Sequence, residues 1–138
     1  MKDQSLKRRK RQDLYSLYLK GLEEGRFLSM RDAAEWLCRQ PAPRYYIDPK
    51  KASDYVGMIL GRRSLVHLNS SQRRMARKLC QEYLDWRKQY PDVKRSRLLV
   101  LDEIVDRPAP EFYMTADAVR KMLREEINEV KSKMGWGE

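Results

Sequence analysis

The chain has 138 residues, of which 36% are charged and 41% are apolar, so it can bury one ordinary core or two very small ones. Thirty Lys and Arg residues against twenty Asp and Glu residues give a formal net charge of +10. No apolar run approaches the roughly 18 residues that a bilayer span needs, and no apolar segment follows the basic residues 7–11 as it would in a secretory signal. These features exclude membrane-spanning and secreted proteins and predict a cytoplasmic one.

Few residues are available for catalysis or metal binding. The two cysteines, Cys38 and Cys80, lack CxxC spacing, and the single histidine, His67, has no recognisable catalytic residues around it. The six glycines fit neither GxxxxGK[ST] nor GxGxxG, the patterns of phosphate-binding loops. Asp102 and Asp106 would share a helix face, but such a pair is typical of solvated surface. The sequence therefore predicts a non-enzymatic protein without a cofactor or a metal site.

The first predicted helix ends at Gly25, a residue that favours helix C-termini. Its apolar side chains recur at i, i+3, i+4 and i+8, the spacing of one helical face: Leu14, Leu17, Tyr18 and Leu22. Ser29 then predicts the N-cap of a second helix, with Asp32 three residues further on to complete a capping box. Pro41 stops that helix, because proline donates no backbone hydrogen bond.

The third predicted helix begins where Asp48 precedes Pro49, an N-cap followed by proline at the first helical position, and Gly61 closes it. The second half of the chain follows the same order. Its first helix ends near Tyr90, and Thr115 caps its third helix. The apolar faces of these second-half helices are predicted at Ala76, Leu79, Cys80, Tyr83 and Trp86, at Leu98, Leu101 and Val105, and at Val119, Met122, Leu123, Ile127 and Val130.

The two halves share a repeated turn motif. Pro-Ala-Pro at residues 41–43, followed by Tyr45 and Tyr46, returns 67 positions later at residues 108–110, followed by Phe112 and Tyr113. We therefore predict an all-α protein of two tandem trihelical, helix-turn-helix-like units related by a pseudo-two-fold internal repeat. The first unit spans 1–63, a linker spans 64–69, and the second unit spans 70–138.

The aromatic residues of both turns are predicted to pack between the second and third helices of their unit, where a small core needs large anchors. The alternative is that an exposed tyrosine stacks on a nucleobase. The packing prediction is favoured because the aromatic pair recurs whereas its flanking charge does not. Arg44 in the first turn is replaced by Glu111 in the second.

The excess positive charge is concentrated in the first half, where residues 1–68 carry a formal +7 and residues 69–138 carry +3. Clustered Lys and Arg at helix starts and turns are typical of phosphate-binding surfaces. The predicted phosphate contacts are Arg8, Arg9, Arg11, Arg44, Lys50, Lys51, Arg62, Arg63, Arg73 and Arg74. The usual alternative is that these charges only solvate helix faces.

Three short helices with a capped third helix also resemble a helix-turn-helix module, in which the third helix enters a DNA groove. That comparison makes Lys51 and Ser53 candidates for contacts with base edges. The interval from Gln40 to Asp48 is longer than the three or four residues of a typical helix-turn-helix turn. The basic first helices are therefore an alternative contact surface.

The whole chain resembles a group of small basic, helix-turn-helix-like proteins from bacterial phages and mobile elements. The resemblance is carried by an Arg- and Lys-rich opening helix, the segment at residues 29–36, and the Pro-Ala-Pro motif with its two following aromatics. It covers both repeats and implies a phage or mobile-element setting. It implies no established activity and no functional residue.

These observations predict a nucleic-acid-binding protein, with duplex DNA favoured over RNA, that acts as a regulator or a packaging-type adaptor. The alternative is a virion or scaffold protein that assembles with itself or a protein partner and binds polyanions nonspecifically. A mixed-charge surface over the apolar stripe of the last helix, at Arg124, Glu125, Glu126, Glu129 and Lys133, favours that alternative. No membrane and no small-molecule substrate is predicted for either function.

Overall fold

A computed structural model describes the backbone of residues 2–135 and the side chains of residues 6–135. Within these residues the protein is all-helical, which confirms the predicted fold class at that level. No helix in this part of the chain is long and apolar enough to cross a bilayer. The six helices are α1 (Lys2–Glu23), α2 (Met30–Leu37), α3 (Pro49–Leu60), α4 (Ser70–Gln89), α5 (Arg97–Ile104) and α6 (Ala116–Lys133).

Side-chain caps define the starts of most of these helices. The Ser29 hydroxyl accepts a hydrogen bond from the backbone of Asp32, and Thr115 caps α6 in the same way, as predicted. Asn69 and Gln72 form a reciprocal capping box at the start of α4. Asp48 occupies the N-cap position of α3, but its side chain makes no capping hydrogen bond, so Pro49 at the first helical position defines this start.

The helices group into two compact units that do not follow the halves of the sequence. Unit 1 contains the described residues of Met1–Gln40 and Met114–Glu138, and unit 2 contains Pro41–Tyr113. In unit 1, α6 packs on α1 and α2, and in unit 2, α3 packs on α4 and α5. Each unit is therefore trihelical, but its third helix comes from the other half of the chain.

This grouping differs from the predicted division into 1–63 and 70–138 for a physical reason. Periodicity identifies the apolar face of each helix, but that face can pack against any partner with matching spacing. The segments that precede α3 and α6 span residues 38–48 and 105–115, long enough to carry a third helix away from its sequence neighbours. A compact helix-turn-helix pair of α2 and α3 is also absent, since these helices belong to different units.

Unit 1 has a small apolar core. Among the described side chains, its fully buried apolar residues are Leu14, Ala33, Ala34, Leu37, Val119 and Leu123. A row of half-buried rings extends this core, in which the Phe27 ring stacks on Tyr18 with centroids 6.0 Å apart and meets Trp36 edge-on at 5.5 Å. The ring of Phe27 lies against the backbone of Gly21, where a Cβ atom would be 2.3 Å from Phe27 Cζ. Only glycine therefore fits at this position of α1 without displacing the ring.

Unit 2 contains most of the buried apolar surface. Twenty of the 26 buried apolar residues in the described part of the chain lie between Pro41 and Tyr113. The interior face of α5 consists of Val100, Leu101 and Ile104. Leu98, which was predicted to line that face, is 44% exposed. Four consecutive apolar residues, 98–101, are spread around the circumference of α5, so spacing alone identified the wrong side for Leu98.

The two Pro-Ala-Pro turns pair with each other inside unit 2. Ala42 and Ala109 exchange backbone hydrogen bonds of 2.9 Å in an isolated antiparallel bridge. Tyr45 stacks on Tyr113 at 6.0 Å, and Tyr46 stacks on Phe112 at 5.8 Å. Tyr45, Phe112 and Tyr113 are buried, so these aromatics pack inside the protein as predicted. Their predicted place, between the second and third helices of one half of the chain, was wrong, because the rings stack across the two turns within unit 2. These rings hold the two turns together, and their buried faces are not exposed for stacking on a nucleobase.

Candidate nucleic-acid interface

Arg11, one of the predicted phosphate contacts, is occupied by an acidic cluster of α6 in unit 1. Its Nε donates to Glu126 Oε1 at 2.9 Å, its Nη2 donates to Glu129, and its Nη1 lies 3.6 Å from Glu125 Oε2. The Glu126 side chain is only 11% exposed, so its charge needs this partner. Arg11 therefore neutralises carboxylates within the protein and is not available to phosphate.

Arg44 and Arg74 are also held by carboxylates, both within unit 2. Arg44 Nη1 lies 3.3 Å from Asp106 Oδ1, and its Nε donates to the carbonyl of Tyr45 at 3.0 Å. Arg74 forms a two-pronged contact with Glu111, at 3.0 Å from Nε and 2.8 Å from Nη2. Both ion pairs stabilise the paired turns. Arg44 lies in the first turn, and Arg74 binds Glu111 of the second turn.

Ser53, a predicted base contact, faces the interior side of α3. Its hydroxyl accepts a 3.0 Å hydrogen bond from Arg97 Nε of α5, and the residue is half-buried. The Arg97 guanidinium crosses α3 at Gly57, where a Cβ atom would lie 2.8 Å from Nη2. A contact between Ser53 and a base would require this hydrogen bond to break.

The remaining predicted contacts lie at the surface. Arg8 and Arg9 are exposed on α1, and Arg73 is half-buried on α4. Four others are exposed at the two ends of α3: Lys50, Lys51, Arg62 and Arg63. Within the described residues, none of these seven cations forms an ion pair with a carboxylate.

The predicted set of phosphate contacts left out Arg77 and Lys78 of α4. Arg77 follows Arg73 by four residues, so the two side chains share one face of α4. Neither Arg77 nor Lys78 has an acidic partner in the part of the chain that the structure describes. Residues 70–78 contain four basic residues and no acidic one, and this local imbalance was the available signal. We call Lys50, Lys51, Arg62, Arg63, Arg73, Arg77 and Lys78 the unit 2 cations.

The helix starts of unit 2 carry positive charge where the helix dipole opposes it. The first turns of α3, α4 and α5 contain no acidic residue, whereas Lys50 and Lys51 lie in the first turn of α3. A cation at this end is disfavoured by on the order of 0.3–1 kcal/mol at low salt, and an anion is favoured by a similar amount. At this helix start the two lysines therefore add positive charge to that of the N-terminal amide groups, beside the Asp48 carboxylate at the N-cap position.

In unit 1, by contrast, the first turns of α2 and α6 carry negative charge. Asp32 lies in the first turn of α2 and Asp117 in that of α6. A groove of about 260 Å³ in this unit is lined by Arg31, Ala34, Glu35, Ala116, Asp117 and Arg120. Its arginines already have partners, since Arg31 lies 3.6 Å from Glu35 and Arg120 lies 3.4 Å from Asp117. This groove is charge-balanced and adds nothing to a phosphate-binding surface.

Two buried tyrosines in the core of unit 2 have strongly raised pKa values. The Tyr45 hydroxyl donates to Glu82, and burial together with this carboxylate raises the pKa of Tyr45. Burial, with the charge of Glu111 nearby, raises the pKa of Tyr113 to about 12. No group of three or more His, Cys, Asp or Glu side chains within the described residues is placed to hold a metal ion. Both perturbed tyrosines belong to the paired turns.

Comparison of the chain with protein-family models, curated proteins and solved structures finds no match. The functional interpretation therefore rests on the residues and their geometry.

Proposed function

We propose that the protein binds nucleic acid, duplex DNA in preference to RNA, through the unit 2 cations. In this proposal it acts without catalysis, as a regulator or packaging-type adaptor of a phage or mobile element, in the cytoplasm of the host. Arg8 and Arg9 of α1 are secondary contacts, and Lys51 is the remaining candidate for a base contact.

The observation that carries the proposal is the unpaired positive charge at the starts of α3 and α4. Of the fifteen Lys and Arg residues in unit 2, four pair with carboxylates, namely Arg44, Arg74, Arg95 and Arg107. The other eleven, which include the seven unit 2 cations, have no acidic partner among the described residues. Cations placed against the helix dipole lower stability unless an anion binds there. A polymer of phosphates supplies anions at regular spacing, which suits basic groups distributed along two packed helices.

We also propose that the two halves are trihelical repeats related by a pseudo-two-fold axis, with their third helices exchanged. Ala42 and Ala109 occupy equivalent positions of the repeat and bond to each other. The rings pair crosswise, since Tyr45 stacks on Tyr113 and Tyr46 stacks on Phe112. Reciprocal pairing of this kind is the pattern expected around a two-fold axis.

The test is fluorescence anisotropy with a labelled DNA duplex of about two helical turns, titrated at 50 and 200 mM salt. If six to ten phosphates are contacted, the affinity of the natural protein falls about 10³- to 10⁵-fold between these salt concentrations. Replacing Lys50, Lys51, Arg73 and Arg77 with glutamine should lower the slope of log affinity against log salt by about three to four. An RNA duplex of the same sequence measures the preference for DNA.

The matched control also removes four exposed charges, but from unit 1, by replacing Lys20, Lys121, Arg124 and Lys131 with glutamine. These residues are exposed and have no ionic partner in the described part of the chain. The slope of log affinity against log salt for this control should stay close to that of the natural protein. Absence of binding at 50 mM salt would contradict the proposal, and an equal loss in both variants would show that net charge alone is responsible.

A protein-assembly function is the second candidate, and exposed leucines on α5 favour it. Leu98 and Leu99 are 44% and 56% exposed, whereas the repeat places the charged residues Arg31 and Asp32 at the equivalent positions of α2. Exposed apolar side chains of this kind often contact another protein. Light scattering after size-exclusion chromatography distinguishes the two functions, because a large defined oligomer without nucleic acid indicates assembly.

A further inference from the structure

The C-terminus of α3 ends in a Schellman motif with an arginine at the left-handed position. The Arg63 amide donates to the carbonyl of Met58 at 2.8 Å, and the Arg62 amide donates to the carbonyl of Ile59 at 3.0 Å. Arg62 has a φ of 55°, in the left-handed region. Glycine is the usual residue there, because a Cβ atom in this conformation approaches the following carbonyl oxygen.

The neighbouring glycine does not relieve this strain. Gly61 has an ordinary φ of −82°, and a Cβ atom on it would lie 3.1 Å from the carbonyl oxygen of Gly57 and 3.6 Å from Nε of Arg63. Gly61 therefore leaves room for the end of the helix and the Arg63 side chain. The left-handed residue is one position further on, and there the sequence has an arginine.

A second non-glycine residue within the described chain has a positive φ, and its surroundings account for it. Tyr113 has a φ of 56°, but it is 7% exposed and its ring stacks on Tyr45. Burial and stacking of an aromatic ring offset backbone strain of this size. Arg62, by contrast, is exposed, and within residues 6–135 its side chain makes no hydrogen bond or ion pair.

The helix dipole explains the charge of Arg62 but not its conformation. A cation at a helix C-terminus is favourable, yet Arg63 already supplies one beside the last turn. Asparagine or glycine at position 62 would satisfy the turn with less strain. The side chain of Arg62 therefore has a role that the isolated protein does not reveal.

We infer that Arg62 is a phosphate anchor of the α3–α4 loop, retained in a strained backbone conformation because its guanidinium binds a nucleic-acid phosphate. This inference rests on the proposed function, and it assigns one of the unit 2 cations a defined contact. A guanidinium binds phosphate oxygens through two parallel N–H groups, so a single arginine can both hold and orient the backbone. The strain is the cost of placing that group at the turn.

The experiment compares Arg62→Gly and Arg62→Asn with Arg124→Gln, a loss of one exposed charge in unit 1. Both changes at position 62 should leave the melting temperature equal to or above that of the natural protein, since glycine and asparagine tolerate this conformation. Both should also weaken duplex DNA binding about tenfold at 50 mM salt and lower the salt slope by about one. Arg124→Gln should leave both the affinity for duplex DNA and the salt slope unchanged.

If both position 62 variants bound duplex DNA as tightly as the natural protein, the inference would be overturned and the proposed function would stand. Failure of the natural protein to bind would contradict the proposed function itself. A melting temperature lowered in both variants would also overturn the inference, because Arg62 would then stabilise the fold. Asparagine serves as the second variant because it removes the charge with a smaller gain in chain flexibility than glycine.

Discussion

The two trihelical units are stabilised differently. Unit 2 holds 20 of the 26 buried apolar residues in the described part of the chain, whereas unit 1 holds six. Unit 1 depends on the ion cluster of Arg11 and on glycine-backed packing of Phe27. Unit 2 depends on apolar burial and on the paired turns.

The same contrast applies to charge. The described and terminal residues assigned to unit 1 carry fifteen basic and eleven acidic groups, and unit 2 carries fifteen and nine. The totals are similar, but in unit 1 Arg11 contacts three carboxylates, and the first turns of α2 and α6 contain aspartates. Both units contain further cations without an acidic partner among the described residues, and in unit 2 seven of them are the unit 2 cations at the ends of α3 and on α4. Net charge is therefore a poorer guide to a phosphate-binding surface than the position and pairing of each cation.

Loss of Arg11 tests the ionic stabilisation of unit 1 and has the largest expected effect. Arg11→Met leaves Glu126 buried without its partner, so we expect the free energy of unfolding at pH 7 to fall by about 3 kcal/mol. Urea unfolding followed by circular dichroism measures the change. Arg8→Met removes an exposed charge of the same helix and should change the stability by less than about 0.5 kcal/mol. Equal effects of the two changes would refute a structural role for the Arg11 cluster.

Two helical glycines provide a matched comparison of packing in the two units. Gly21→Ala places a Cβ atom against the Phe27 ring in unit 1, and we expect a loss of about 1 kcal/mol after the gain in helix propensity is included. Gly57→Ala meets only the flexible end of Arg97 in unit 2, so its stability should stay within about 0.5 kcal/mol of the natural protein. Thermal unfolding measures both. If Gly21→Ala raised the stability, the close packing of the Phe27 ring against the backbone of Gly21 would not be required.

The two units should respond in opposite directions to alkaline pH. Burial lowers the pKa of Lys10 from 10.5 to about 8, so unfolded unit 1 binds the extra proton and its stability rises between pH 8 and 10.5. Burial raises the pKa of Tyr113 from 10.0 to about 12 and raises that of Tyr45, so unit 2 loses stability between pH 10 and 12. Fluorescence-monitored urea unfolding of two single-tryptophan variants, one that keeps Trp36 and one that keeps Trp86, resolves the units. Parallel changes at both probes would contradict this smaller effect.

The sequence predicted the individual helices well because the signals are local. Ser29 and Thr115 cap the predicted starts, and α3 runs from Pro49 to Leu60 as expected. The exchange of α3 and α6 was not predictable, because apolar spacing describes a face and not its partner. The crosswise pairing of the turns is a long-range contact, and no local rule specifies it.

The candidate interface was predicted only in part for a similar reason. Composition identified Arg44 and Arg74 as cations, but their partners Asp106 and Glu111 are distant in sequence. Pairing across 37 or more positions depends on the tertiary fold, so a basic cluster in the sequence overestimates the charge available to a ligand. Arg62 was identified for its charge, but its unusual backbone conformation became visible only in the structure.

The exchanged helices impose an order on protein synthesis. Synthesis adds all of Pro41–Tyr113 before α6, so the residues of unit 2 are complete while the first 40 residues still await their third helix. The apolar faces of α1 and α2 therefore lack their third helix until Ala116–Lys133 has been made, and unit 1 can complete its core only after the whole of unit 2 has been synthesised.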